Sequence, residues 1–448
     1  MLKRKLALFL AAAMLIGAMS GCSGSPQGGE SSSGTSSTEG EASSQEENQE
    51  QVTIKFVGYA NSAGDFEKRA QEFMAGQPNI KVEVQGIPAN SWGELMQAIS
   101  VNIAGGDVPD IADIASEGQR TFATSGMIIP IDDYLERDKD ELKDTLDQID
   151  PALMDAMKYD GKTYCLPTVW NNMLLYYNKN VLERFNIPEP ESGWTIDDFI
   201  EICQMVTSEN SGTNDTYGYA FSNAYFTTIV PWMVTAGGNV LNDDWTESRL
   251  TDPDTLAGVQ LLYDFVYKYN ISPKIDAGVG DLDLFVQDKL AFMGAGMWQV
   301  NALRNSEFPV EDYDVIDFPI VKEDKAVIGI GGAPIFSASE NKDAAWEFAK
   351  FLSSKDFQDT FIANDGWSIP SVKSAADILA SKDFAPEHSQ LFYDSAQKGV
   401  LVPAPQEYGT IESVLLREFG AAMANMKSME EAMAAAEEEI NAEIAKRG

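Results

Sequence analysis

The chain has 448 residues, more than one hydrophobic core usually supports, and a formal charge of −38 from 70 acidic against 32 basic residues. So acidic a surface argues against nucleic acid and anionic lipid head groups as partners. One histidine, His388, excludes a His cluster for zinc and leaves none of the usual His-based triads unless that residue serves.

Met1-Leu2-Lys3-Arg4-Lys5 sets three cations ahead of a 14-residue apolar run, Leu6 to Met19, that ends in Ser20-Gly21-Cys22. This is the layout of a signal peptide, and the run falls short of the about 20 residues that span a bilayer, so residues 1–21 are expected to be removed. Met19-Ser20-Gly21-Cys22 resembles the lipobox of bacterial lipoproteins, with Met where Leu is usual. Cleavage there would leave Cys22 as an acylated, membrane-anchoring N-terminus; the alternative is an ordinary secretory cleavage nearby that removes it. Residues 23–51 are almost entirely Ser, Gly, Thr, Gln and Glu, with one Pro, one Ala, one Asn and no aromatic, a composition unable to bury enough apolar surface to fold. Together, 22–51 read as a lipid-anchored disordered linker with a root-mean-square reach of roughly 30 Å. The expected location is the outer face of the cytoplasmic membrane.

From residue 52 onward, alternating Val52, Ile54 and Phe56 predict a strand. Phe66, Ala70, Phe73 and Met74 predict a helix, and Ile80, Val82 and Val84 a second strand. A helix over 92–103, a stop at Gly105-Gly106, a short strand over 110–114 and a helix over 119–124 follow. Strands alternating with helices imply a mostly parallel sheet covered on both faces, with ligand loops at the carboxyl ends of its strands. A second α/β run begins after Asn171 with the strand Leu174-Leu175-Tyr176-Tyr177. A helix capped by Thr195 with Asp198 three residues on comes next, and then a long helix over 254–269. The stretch 411–445 is helical in spacing, and its Glu437-Glu438-Glu439 run reads as a solvated face. Cys165 and Cys203 read as two buried thiols rather than a disulfide, although an exported context permits the bond. Neither a phosphate-cradling loop nor a calcium loop is present in the sequence.

Several stretches together resemble the family of extracellular solute-binding proteins that serve carbohydrate importers of the ATP-driven type. They are Gly105-Gly106-Asp107-Val108-Pro109-Asp110; Tyr159-Asp160-Gly161-Lys162-Thr163-Tyr164-Cys165-Leu166-Pro167; Leu175-Tyr176-Tyr177-Asn178-Lys179; Trp194-Thr195-Ile196-Asp197-Asp198-Phe199; Phe285 to Gly294 with Trp298; Asn341 to Leu352; and Gly366-Trp367-Ser368-Ile369-Pro370. Each is weak alone, but their order is that of the family. The resemblance implies an α/β, two-lobed periplasmic-binding-protein-like fold of type II with discontinuous lobes, a hinge and an interlobe cleft. It places lobe 1 at about 52–170 plus 332–365 and lobe 2 at about 171–331 plus 366–448. It also implies a monomeric binder of a sugar, with ABC transporter membrane subunits as partners, no cofactor and no catalysis.

A sugar ring has an apolar C–H face and a rim of hydroxyls, so its site calls for flat aromatics beside planar polar groups. Trp298, which follows a strand end and resembles the family's stacking Trp, leads the candidates; the other reading is a plain core Trp. Asp113 and Glu117 lie at and beyond a strand end. Tyr59 and Asn61 follow the first strand, Trp92 opens the helix after the second, Trp232 precedes Gly237-Gly238, Trp367 and Tyr408 lie in Gly- and Pro-bearing loops, and Gly332 would let backbone approach the ligand. Trp346, on an amphipathic helix, reads as core. Aromatics spread over both lobes suggest an oligosaccharide. Rival readings are the same fold with a non-sugar solute, a sugar sensor subunit and, remotely, an exported glycoside hydrolase acting through paired carboxylates.

Overall fold

The computed structural model describes residues 51–208, 216–275 and 280–447. The signal peptide, Cys22 and all of the linker but Gln51 lie outside the described residues. No described helix is long and apolar enough to cross a membrane.

Strand β1 (Val52–Tyr59) lies between β2 (Ile80–Ile87) and the short β3 (Ile111–Ala112), all parallel. Helix α1 (Ala63–Gly76) turns Phe66, Ala70 and Phe73 inward, the period read in the sequence. Helix α2 (Trp92–Ala104) starts at Ser91, whose hydroxyl accepts the Glu94 amide N–H. After β3 the chain leaves this sheet. Strand β4 (Ile114–Ala115) pairs instead with the strand Ala326–Gly332, and α3 (Ser116–Thr124) follows it. The helix Lys342–Ser353 comes back to this lobe from far along the chain, where Phe348 meets Phe56 and Phe73 and Trp346 is wholly buried. The lobe is therefore discontinuous.

The second lobe is built on the strands Tyr313–Ile316, Leu174–Asn178, Leu290–Ala295 and Tyr217–Ala220, in that spatial order. This sheet is mixed rather than mostly parallel, since Leu174–Asn178 runs antiparallel to both its neighbours. Only Met173 separates it from the strand Pro167–Asn172 of the other sheet, so it enters this one straight from the crossing between the lobes. Between the lobes, Pro167–Asn172 and Ala326–Gly332 pair antiparallel and carry the chain across, flanked by Ile369–Pro370 and Gly399–Leu401. This two-stranded passage is the hinge.

The C-terminal stretch is two helices, Tyr408–Met423 and Met429–Ile444. Asn425 in the left-handed region ends the first, and a capping box of Ser428 and Glu431 starts the second. Both are fastened to the second lobe, through the Tyr267 hydroxyl on the Met423 carbonyl, the Tyr263 hydroxyl on Asn425 (2.7 Å) and the Ser248 amide on Asn441 (2.8 Å). Glu437 is not merely solvated, because it accepts both the amide (2.8 Å) and the hydroxyl (2.6 Å) of Thr251. Cys165 and Cys203 are free, buried thiols in different core clusters, and burial pushes both thiols up.

Candidate ligand-binding cleft

Parallel strands end together, and the first lobe displays its candidates at that edge. Tyr59, the last residue of β1, is half-buried with its ring edge-on to Trp92, the first residue of α2 (centroids 4.7 Å apart, interplanar angle 62°). Burial and then the carboxylates of Glu412, Glu117 and Asp113 push the Tyr59 hydroxyl upward. Asn61 lies in the single turn Ala60–Ser62 beyond β1 and is exposed, its side-chain oxygen accepting the Ser62 hydroxyl at 3.3 Å.

Asp113, between β3 and β4, is 6% exposed. Burial pushes its carboxyl up to about 7 against the opposing pull of Arg69. Glu117, in the first turn of α3, is 1% exposed and also pushed up to about 7 by burial, although it accepts the Ser116 hydroxyl at 2.9 Å. Gly329 on the hinge passes beside it. A Cβ there would stand 3.5 Å from Glu117 Oε1 and 3.2 Å from the Phe226 ring.

On the second lobe, Trp298 opens the helix Trp298–Asn305 just after the strand Leu290–Ala295. Its half-buried ring lies against Gly296, where a Cβ would come within 2.2 Å of it, and faces Phe226 with centroids 6.5 Å apart. The hinge fixes this turn. The Asn171 side chain accepts the Met297 amide N–H at 3.2 Å and donates to the Ser368 hydroxyl, so one residue ties the turn bearing Trp298 to the turn bearing Trp367. Trp367 is half-buried, with the Arg69 guanidinium over its ring (4.8 Å) and Phe66 edge-on (6.1 Å).

Three candidates are corrected. Trp232 is wholly buried in the second lobe, packed on Phe199, Phe265, Phe318 and Tyr219, with its indole N–H donated to the Tyr219 hydroxyl at 3.1 Å; it is core. Tyr408 is helical rather than in a loop and wholly buried, donating to Glu412 (2.8 Å) and meeting Tyr225 edge-on (5.4 Å), so it backs the cleft instead of lining it. Gly332 is buried, and a Cβ there would meet Cys165 Sγ at 2.5 Å; its small size makes room for a core thiol.

The sequence reading missed Glu412, Tyr225, Phe226 and Arg69. Glu412 is 5% exposed and accepts the Gly93 amide N–H at 3.0 Å, from the first turn of α2. That bond joins the lobes, as do the Thr121 hydroxyl on the Gln406 carbonyl (3.0 Å) and the Arg120 guanidinium over Trp245 (4.6 Å). Tyr225 is 2% exposed, and its hydroxyl, pushed upward by burial and then by Glu412 and Glu117, has no hydrogen-bond partner among the described residues. Only Arg69 had a legible signal, since it shares the inward face of α1 with Phe66 and Phe73. The arrangement sets aromatic rings and buried carboxyls on both sides of a bridged cleft.

Among proteins of known description, the maltotriose-binding protein of Pyrococcus abyssi is 26% identical over 295 residues, 64% of this chain and 59% of that protein, less than two thirds of its length. The galactooligosaccharide-binding protein of Bacillus subtilis is 22% identical over 364 residues, 78% of this chain and 76% of that one. Among solved structures, an ABC substrate-binding protein from Listeria monocytogenes in complex with cycloalternan superposes with a TM-score of 0.81 at 23% identity, covering 88% of this chain and all of that one. The Thermus thermophilus maltotriose binding protein, bound with maltotriose, gives 0.72 at 20% identity over 88% of this chain and all of that one. These likenesses establish the two-lobed fold. The profile of the bacterial extracellular solute-binding proteins matches residues 59–359, and the chain belongs to that family.

Proposed function

We propose that this chain binds a neutral oligosaccharide in the interlobe cleft and delivers it to the membrane subunits of an ABC importer. The observation that carries the reading is the interleaving of Tyr59, Trp92, Trp298 and Trp367 with the buried carboxyls of Asp113, Glu117 and Glu412. Rings stack on C–H faces and carboxyls accept from hydroxyls, and this mixture of an apolar lining with a few fixed polar groups is what small-ligand sites need. The cation that reaches Asp113 is Arg69, itself buried beside Asp365, so an anionic sugar would meet carboxylates rather than a free counter-charge. The names of the relatives, which cite maltotriose and galactooligosaccharide, support a glycan ligand. The chain acts by binding, without catalysis, and as a monomer.

Lobe 1 comprises about 52–170 plus 332–365 and lobe 2 about 171–331 plus 366–448, the second lobe swinging on the hinge strands. Ligand favours the closed arrangement through the contacts made only there. Residues 1–21 are the export signal, and acylated Cys22 holds the domain to the outer face of the membrane on the 22–51 linker. Titration calorimetry of the mature domain against maltotriose, a galactooligosaccharide and a uronic-acid oligosaccharide tests the reading. Binding of a neutral glycan is expected; heat only from the uronate, or from none of a broad neutral panel, would overturn it. For the anchor, Cys22→Ser should abolish fatty-acid labelling of the cellular protein.

A further inference from the structure

We propose that Arg69 is a positioning residue of this cleft, its guanidinium packed in the corner formed by Phe66 and Trp367 so as to present the Trp367 ring to the ligand, a role that rests on the cleft being the ligand site. Arg69 projects from α1 and is 4% exposed, and its Cζ lies 4.8 Å from the centroid of each ring. A guanidinium is planar and weakly hydrated, so it packs on an aromatic face at less desolvation cost than an ammonium, which cannot stack. One side of Trp367 is thereby occupied, and the ring still keeps part of its surface exposed.

The backbone around the ring is fixed by the same cation. Arg69 Nη2 lies 3.5 Å from Asp365 Oδ2, two residues before Trp367, an ion pair without hydrogen-bond geometry, since both atoms and Arg69 Nε lack hydrogen-bond partners among the described residues. Between them, Gly366 takes φ +71°, and a Cβ there would meet the Phe384 ring at 2.7 Å, so the turn has little freedom to move. Arg69 also lines a narrow internal cavity with Asp113 and Thr168. It thus stands between two of the residues assigned to the ligand.

Packing alone does not account for an arginine here. A buried ion pair with unmade hydrogen bonds is a weak contributor to stability, and replacing both partners by apolar groups is often neutral or stabilising, although removing one alone strands the other. Methionine would fill a similar length. What methionine would lose is the charged plate under Trp367 and the attraction that holds Asp365.

The test compares Arg69→Met, Arg69→Lys, Trp367→Ala and the Arg69→Met/Trp367→Ala double variant. In the ligand-free protein, the indole N–H resonance of Trp367, identified by its loss in Trp367→Phe, should shift and become more mobile in Arg69→Met and in Arg69→Lys. With whichever neutral glycan the wild type binds, maltotriose first, Arg69→Met should weaken affinity about as much as Trp367→Ala, tenfold or more. The double variant should be no weaker than Trp367→Ala alone, because the two changes remove one interaction. Arg69→Met strands the Asp365 carboxyl and should lower the melting temperature, so affinities are compared on the folded fraction. An unmoved Trp367 resonance overturns the proposal whether or not a ligand has been found, and so do losses of affinity that add in the double variant. Should Arg69→Met fail to fold, the resonance and the cycle built on Arg69→Lys decide in the same way. A wild type that binds no glycan counts against the sugar reading, and the resonance then judges Arg69 by itself.

Discussion

Replacing Trp298 by alanine separates ligand contact from packing. The ring is half-buried, resting on Gly296 and facing Phe226, so its removal opens no sealed cavity. A fully buried aromatic cut to alanine costs about 3–5 kcal/mol, and this partly exposed one should cost roughly 1–2 kcal/mol. Alanine is also the better helix former at the start of Trp298–Asn305, which offsets a few tenths of that. On the ligand side, the loss is the oriented ring contact, about 0.5–1.5 kcal/mol, together with the apolar area that the sugar covers. The sum should exceed about 1.4 kcal/mol, a tenfold fall in affinity. Titration calorimetry with the cognate glycan and scanning calorimetry of the ligand-free protein measure the two effects apart. Gly296→Ala is a second route to the same end, since its Cβ would displace the ring without deleting it. Affinity within twofold of wild type, joined to a melting loss of full core size, would refute the reasoning and make Trp298 a packing residue.

Trp232→Ala should do the opposite, costing about 3–5 kcal/mol of stability by chemical denaturation while leaving the affinity of the folded fraction near wild type; a selective loss of affinity would return Trp232 to the cleft. Between about pH 4.5 and pH 7 the folded, ligand-free chain keeps protons on Asp113 and Glu117 that the unfolded chain releases, so these groups make stability fall as pH rises through that window and level off above it. Melting midpoints of the Asp113→Asn/Glu117→Gln variant across the same range should lose that part of the slope, and an identical slope would count against the burial of these two groups. Gly93→Ala places a Cβ 2.5 Å from Glu412 Oε2 and should break the interlobe bond, which would raise the dissociation rate and expand the liganded protein in solution scattering; unchanged release kinetics would remove Glu412 from closure.

The elements that were legible, in both lobes, carry local signals. Alternation at Val52, Ile54 and Phe56, helical spacing from Phe66 to Phe73, and the reciprocal cap of Thr195 and Asp198 (2.8 Å and 3.3 Å) all act within a few residues. The core place of Trp346 was legible for the same reason. What failed depends on distant partners. Trp232 looked like a loop aromatic ahead of two glycines, but Gly258 on the helix Pro253–Tyr267 packs so closely that a Cβ there would meet the Trp232 carbonyl at 2.4 Å, sealing the residue inside. Glu412 was one acid in an acidic helix, and its partner Gly93 is 319 positions away. The direction of Leu174–Asn178 depends on its neighbours Leu290–Ala295 and Tyr313–Ile316, more than a hundred positions away.

The discontinuity of the lobes also bears on the order in which they can form. The first lobe waits for Trp346 and Phe348 to cover β1 and α1, and the second lobe for Ile411, Leu415, Phe419, Met433 and Ile440 to close over the helix Pro253–Tyr267. A chain emerging from its N-terminus therefore completes its first core only when nearly four fifths of it is available and its second only with the last tenth, unlike proteins with an N-terminal domain that finishes early in synthesis. Such a sequence stays threadable through most of its synthesis, a property suited to passage in extended form through a narrow channel and to folding late, on the far side.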